Sequence, residues 1–198
     1  MTNISSSSGL GRPYASHAHQ DAVFNMQMSV CSVLQCFKPN PFTFDNREIA
    51  DAGTEIPDLL LLADKSIDKD VPRIDEERVR LAIVEFYHTD NGYKAYANDV
   101  TKVRRLMEEY HSIQLGFVIN FNEMVGFYYD RDFVLRPISF QEATDMIKDL
   151  VLNHYSLLVQ DYLKLHPEVK RVQKPFAAKL PFIGFKMSPS PKIGLLIK

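Results

Sequence analysis

Ile56-Pro57-Asp58-Leu59-Leu60-Leu61-Leu62 and Arg80-Leu81-Ala82-Ile83-Val84-Glu85-Phe86-Tyr87 decide how this chain is read. Each is a short apolar run without alternation, the pattern of a strand buried on both faces. Pro57 stands at the entry of the first run, where a missing backbone donor is tolerated. Each run also carries one carboxylate, Asp58 or Glu85, in a place otherwise committed to burial. A carboxylate there is expensive unless it is paired or bound to a metal. The two runs that set the fold therefore also mark where chemistry is expected, with a strand cap or a structural ion pair as the plain alternative.

Upstream, Ala22, Val23, Met26, Val30, Val33, Leu34 and Phe37 recur at helical spacing, and Ser16 is placed to cap the helix they define. Lys38-Pro39-Asn40-Pro41 ends it, and residues 42–50 predict a first strand with a turn at Ala52-Gly53. Residues 63–77 read as a polar loop between the two deciding runs. After the second run, a turn at Asp90-Asn91-Gly92 leads into a helix over residues 93–110, with Tyr96, Val100, Val103, Met107 and Tyr110 three and four apart. Residues 113–121 and 126–135 predict two more strands joined around Asn122-Glu123. Ser139 and Glu142 form a capping box for a long helix carrying Val151, Tyr155, Leu158 and Tyr162, which His166-Pro167 stops. The order helix, three strands, helix, one or two strands, helix predicts one α/β sandwich with a mixed central sheet flanked by helices.

The chain's 198 residues suit one core domain with an appendage: a Ser/Gly-rich N-terminus over 1–15, a core over 16–138, a C-terminal helix over 139–166 and a basic, Pro-rich arm over 167–198. A content of 45% hydrophobic and 24% charged residues supports a sizeable core and excludes a wholly disordered protein. No run approaches the roughly 18 to 20 consecutive apolar residues of a membrane-crossing helix. Ser5-Ser6-Ser7-Ser8 stands where a secretory signal has its apolar segment, so a cytoplasmic protein without a membrane partner is expected. Cys31 and Cys36, five apart, make a poor disulfide or zinc pair and predict ordinary buried thiols. The net charge of -2 exerts no global pull on nucleic acid, yet from Lys164 onward eight basic residues face Glu168 alone, a net +7 that leaves -9 for the remainder.

Taken together, Pro57-Asp58 opening a strand, Glu85-Phe86-Tyr87 ending the next, and Tyr93-Lys94-Ala95-Tyr96 with Asp99-Val100-Thr101-Lys102 on the following helix resemble the restriction-endonuclease-like, or PD-(D/E)XK, nuclease superfamily. The resemblance covers residues 16–121 and rests on the order of elements as much as on the short motif. It implies a restriction-endonuclease-like three-layer sandwich and metal-dependent phosphodiester hydrolysis on DNA, less so on RNA, with Asp58 and Glu85 binding Mg²⁺ or Mn²⁺. A cation so held lowers the pKa of the attacking water and neutralises charge on the phosphate.

Where the family has a lysine two positions after the glutamate, this chain has Tyr87, a neutral phenol at pH 7. Two readings of that departure stand open. In one, the lysine has moved to the next helix, where Lys94, Asn98 and Lys102 share a face, so that Lys94 or Lys102 assists the water and Tyr87 lines the site. In the other, the site is inactive and the fold serves as a nucleic-acid-binding or dimeric interaction module, with Lys102 a solvated helix residue paired to Asp99. Cutting both strands of a duplex asks for two sites, which a homodimer would supply, though the sequence leaves the oligomeric state open.

Other residues carry weaker signals. His17 and His19 lie two apart at a helix start and are expected to be exposed, while His88 follows the acid-bearing strand as a proton-shuttle candidate or a loop histidine. Asp21 occupies the first helix, where the family often has an acid, and Glu48, Asp51 and Glu55 are candidate extra ligands or a solvated turn. In the arm, Lys170, Arg171, Lys174 and Lys179 are candidate phosphate contacts, and Phe176, Phe182 and Phe185 interleave with lysines as a base-stacking surface or as a docking segment. Gly-rich phosphate loops, Ser-His-Asp spacing and zinc spacing are missing, which leaves kinase, P-loop and zinc-finger readings without support.

Overall fold

The computed structural model of the chain describes residues 17–45, 57–68, 70–71, 77–88 and 92–169, and of residues 92–95 the backbone only. Its elements follow the order α1 (His17–Leu34), β1 (Phe42–Asp45), β2 (Leu59–Ala63), β3 (Val79–Tyr87), α2 (Gly92–Glu109), β4 (Leu115–Asn120), β5 (Val125–Tyr129), β6 (Leu135–Ser139) and α3 (Phe140–Leu165). The six strands form one sheet in sequence order, β1-β2-β3-β4-β5-β6. All neighbours are antiparallel except β3 and β4, which are parallel and are joined through α2, the crossover that parallel neighbours require.

Helices cover both faces of the middle strands. On one face Val103, Leu106 and Met107 of α2 pack on Leu60, Leu62, Ile83 and Val118. On the other, Met26 and Val30 of α1 and Ala143, Ile147 and Val151 of α3 pack on Leu59, Leu61, Leu81, Phe117 and Ile119. This double cover is why β2 and β3 read as unbroken apolar runs. It also explains Gly116 on β4, where an added Cβ would stand 2.6 Å from the Met107 sulfur. The helix–sheet spacing here leaves no room for a side chain.

Sequence expectation and structure part in two places. The run 126–135, expected as one strand, is β5 and β6 around a turn at Asp130. The Asp130 side chain accepts the Asp132 N–H at 3.0 Å and its carbonyl accepts the Phe133 N–H at 3.1 Å, with Phe133 at φ 55°. An aspartate that bonds the backbone two residues on makes a turn without glycine or proline, and Phe133-Val134-Leu135 disguised it as strand. Secondly, the expectation of two buried thiols fails at Cys36, which lies beyond the end of α1 and is exposed, while Cys31 is half-buried. Of the first strand expected over 42–50, β1 covers the described part to Asp45, and Glu48, Asp51 and Glu55 lie outside the described residues, as do Lys170, Arg171, Lys174, Lys179 and the arm's phenylalanines. The capping box is present: Ser139 N donates to Glu142 Oε2 at 2.9 Å and Glu142 N to Ser139 Oγ at 3.2 Å.

The chain divides into two units, Met1–Tyr162 and Leu163–Lys198. Of the second, the described part is the end of α3 and a turn in which Val169 N donates to His166 O at 3.1 Å. No helix among the described residues is long and apolar enough to cross a membrane.

Candidate functional site: an acid pair met by a helix lysine

The pairing of β2 with β3 places the acids. Leu59 is opposite Val84, so one step outward Asp58 stands across from Glu85, on the face that α2 covers. Paired strand ends at that step, and the Asp58 side chain takes over: its Oδ2 accepts the Phe86 N–H at 2.6 Å, satisfying a β3 backbone donor just past the end of the ladder. The same oxygen lies 3.1 Å from His19 Nε2. His19 arrives from the first turn of α1, with its ring edge-on to Phe86 and Phe121 at centroid distances of 6.1 and 5.6 Å. Its hydrogen bond to Asp58 raises the imidazole pKa above the ordinary 6.5, against the opposing effect of burial.

Glu85 is only 4% exposed, and Lys102 of α2 sets its Nζ 2.7 Å from Glu85 Oε1. Even so, burial and then the Asp58 charge push the Glu85 carboxyl up to about 8, against the pull of Lys102. Desolvation outweighs the ion pair, which is the usual balance for a charge pair taken out of water. One helical turn before Lys102, half-buried Asp99 is pushed up to about 6, chiefly by burial, with Lys102 and His19 pulling down and Asp58 pushing up. Among the described residues, three carboxyl groups thus gather around one ammonium and one imidazole.

Of the residues expected from sequence, Asp58, Glu85 and Lys102 meet. Tyr87 lies on the same strand face as Glu85 but turns to its own neighbours: its ring is 5.1 Å from that of Tyr96 and it hydrogen-bonds the Asn120 side chain. The Lys94 side chain is outside the described set. Asp21 and His17 are exposed, and His88 bonds Asn122 and lies 5.2 Å from the Phe121 ring, the ring that His19 also meets. His19 corrects the expectation that both early histidines are exposed: the start of α1 aims it at the end of β2, a placement that only the tertiary fold specifies. Asp99 had been weighed solely as a partner for Lys102, and its couplings to Asp58 and Glu85 come from α2 lying over β3.

Two carboxylates opposed across a strand pair, one of them buried, are the hard oxygen donors that Mg²⁺ or Mn²⁺ accepts while keeping several waters. Among the described residues no three His, Cys, Asp or Glu side chains are grouped so as to enclose a metal ion. Comparison with protein-family models, with curated proteins and with solved structures finds no match to this chain.

Proposed function

We propose that this chain is a metal-dependent phosphodiester hydrolase on a restriction-endonuclease-like sandwich, acting on nucleic acid and foremost on DNA. The observation that carries the reading is Lys102, whose ammonium reaches Glu85 from α2 at 2.7 Å and fills the role that Tyr87 leaves vacant. Asp58 and Glu85 would hold Mg²⁺ or Mn²⁺, which when bound supplies a water of lowered pKa and neutralises charge on the phosphate. Lys102 Nζ would supply positive charge to the phosphoryl oxygens as negative charge grows there. The Phe86 N–H and His19 Nε2 fix the Asp58 carboxylate from two sides, so that its orientation is set before substrate arrives.

The test is calorimetric titration of Mg²⁺ and Mn²⁺ into the full chain and into Glu85→Ala, with plasmid nicking on the same samples. Binding and nicking that both vanish in the variant support the hydrolase. A non-catalytic nuclease fold is the second reading, and a specific observation favours it: Asp58 Oδ2 is engaged by the Phe86 N–H and His19, and Glu85 Oε1 by the Lys102 ammonium. No heat of metal binding and no nicking in the wild type would establish that reading.

A further inference from the structure

Strand register carries the face of Glu85 outward across the sheet. Glu85 is opposite Val118, Val118 opposite Phe127, and Phe127 opposite Pro137, one rung running from the acid pair to the sheet edge. Neighbouring strands are about 4.8 Å apart, which sets Phe127 roughly 10 Å from Glu85. Tyr96 of α2 bridges this gap, its ring 5.1 Å from Tyr87 and 5.7 Å from Phe127. All three residues are half-buried, and Tyr87 and Tyr96 pack with one side against the core beneath α2. α2 lies over β3 and β4, and beyond it Val125, Leu135 and Pro137 of β5 and β6 are exposed on the same face. The result is a row of three tilted rings that starts two residues from the Glu85 carboxylate and opens onto an uncovered part of the sheet.

We propose that Tyr87, Tyr96 and Phe127 form a stacking platform for unpaired nucleobases, so that the strand bound at the acid pair is single-stranded. The inference rests on the hydrolase reading for its orientation toward Glu85. A base presents a π-face only when its neighbours are unstacked, and an aromatic row accepts any base without regard to sequence. A duplex keeps its bases stacked inside and offers this row only its sugar-phosphate backbone, for which phenol and phenyl rings are poor partners. The rings' continuity with the carboxylates, rather than their apolar area alone, selects a nucleic-acid strand as the occupant: a phosphate beside Lys102 leaves the attached bases over Tyr87 and Tyr96.

Binding of fluorescein-labelled oligo(dT), oligo(rU) and a duplex of the same length to the full chain, measured by anisotropy in EDTA, reads the platform without requiring cleavage. The wild type is expected to prefer the single strands by about tenfold or more, and the DNA and RNA arms show whether the sugar matters. Tyr96→Leu and Phe127→Leu, which keep apolar volume but remove a ring, are each expected to weaken single-strand binding about tenfold, the order of one lost base stack, and to leave duplex binding unchanged. Tyr96→Phe restores the affinity. Equal loss on single strand and duplex, no loss in either leucine variant, or no preference for single strands overturns the platform. Single-strand binding that depends on the rings in a protein that neither binds metal nor nicks supports the platform while removing the hydrolase reading. Duplex nicking unaffected by Tyr96→Leu does the reverse.

Discussion

Lys102 and Glu85 meet across a layer boundary: a side chain from α2 brings its Nζ to 2.7 Å from a carboxylate that is 4% exposed in the middle of the sheet. The pair does not cancel the cost of its own burial, because the Glu85 carboxyl is still pushed up to about 8. A site arranged this way trades stability for a positive charge held next to an acid.

The trade is measurable. Glu85 binds a proton in the fold up to about pH 8, while in the unfolded chain it loses that proton above about 4.5. Between those values the folded state holds more protons, so metal-free stability falls as pH rises from about 5 to 8. Urea titrations over that range should show the decline, and Glu85→Gln, which has no carboxyl to titrate, should flatten it. A wild type whose stability is level across this window would refute the assignment.

His19 should titrate above 6.5 in the wild type, because its proton is held by Asp58. Asp58→Asn removes the charge and leaves the desolvation, so the imidazole pKa should fall below its wild-type value. Histidine Cε1–H shifts followed by NMR decide this. The wild-type bond contributes stability that is fully present below pH 6.5 and is lost as pH rises through the elevated pKa. The Asp58→Asn variant should lack that loss.

His154 behaves in the opposite sense. It lies on α3, half-buried, with its ring 6.0 Å from that of Phe42, and its Nε2 is buried without a hydrogen-bond partner among the described residues. Burial lowers its pKa. Its contribution is therefore present above the unfolded value of 6.5 and is lost as pH falls toward the depressed pKa. Melting temperature should drop on acidification through pH 6 in the wild type and drop less in His154→Leu.

Gly126 on β5 faces β4 at the closest approach of the two backbones, where an added Cβ would stand 2.7 Å from the Ile119 Cα and collide with the Val118 carbonyl as well. Backbone atoms cannot rotate away as a side-chain tip can. Gly126→Ala should therefore cost on the order of 3 kcal/mol, far above the change at an open strand position. Denaturant midpoints compared with an alanine placed at exposed Val125 provide the control.

The acid pair was legible in the sequence because a carboxylate inside an unbroken apolar run announces itself, and Lys102 because helical spacing allowed only a few lysines on one face. His19 was not, since a histidine two residues from another at a helix start carries no periodic signal, and its meeting with Asp58 depends on how α1 crosses the end of β2. The strands β1 to β4 followed from buried runs and their punctuation. β5 and β6 merged in the reading because the turn between them is made by Asp130 side-chain bonding under apolar residues. The aromatic row was likewise hidden, because Tyr87, Tyr96 and Phe127 come from three elements and only strand register brings them together.

Because the six strands pair in chain order, every sheet contact joins consecutive strands, and all but one are antiparallel pairs that need no crossover. The exception is β3 with β4, which must wait for α2 to form and fold back over the sheet. Glu85 and Lys102 sit on the two sides of that one non-local closure. Any state in which the hairpins have formed but α2 has not docked exposes Glu85 without its ammonium, so the chain acquires its candidate chemistry only at the step that completes its topology.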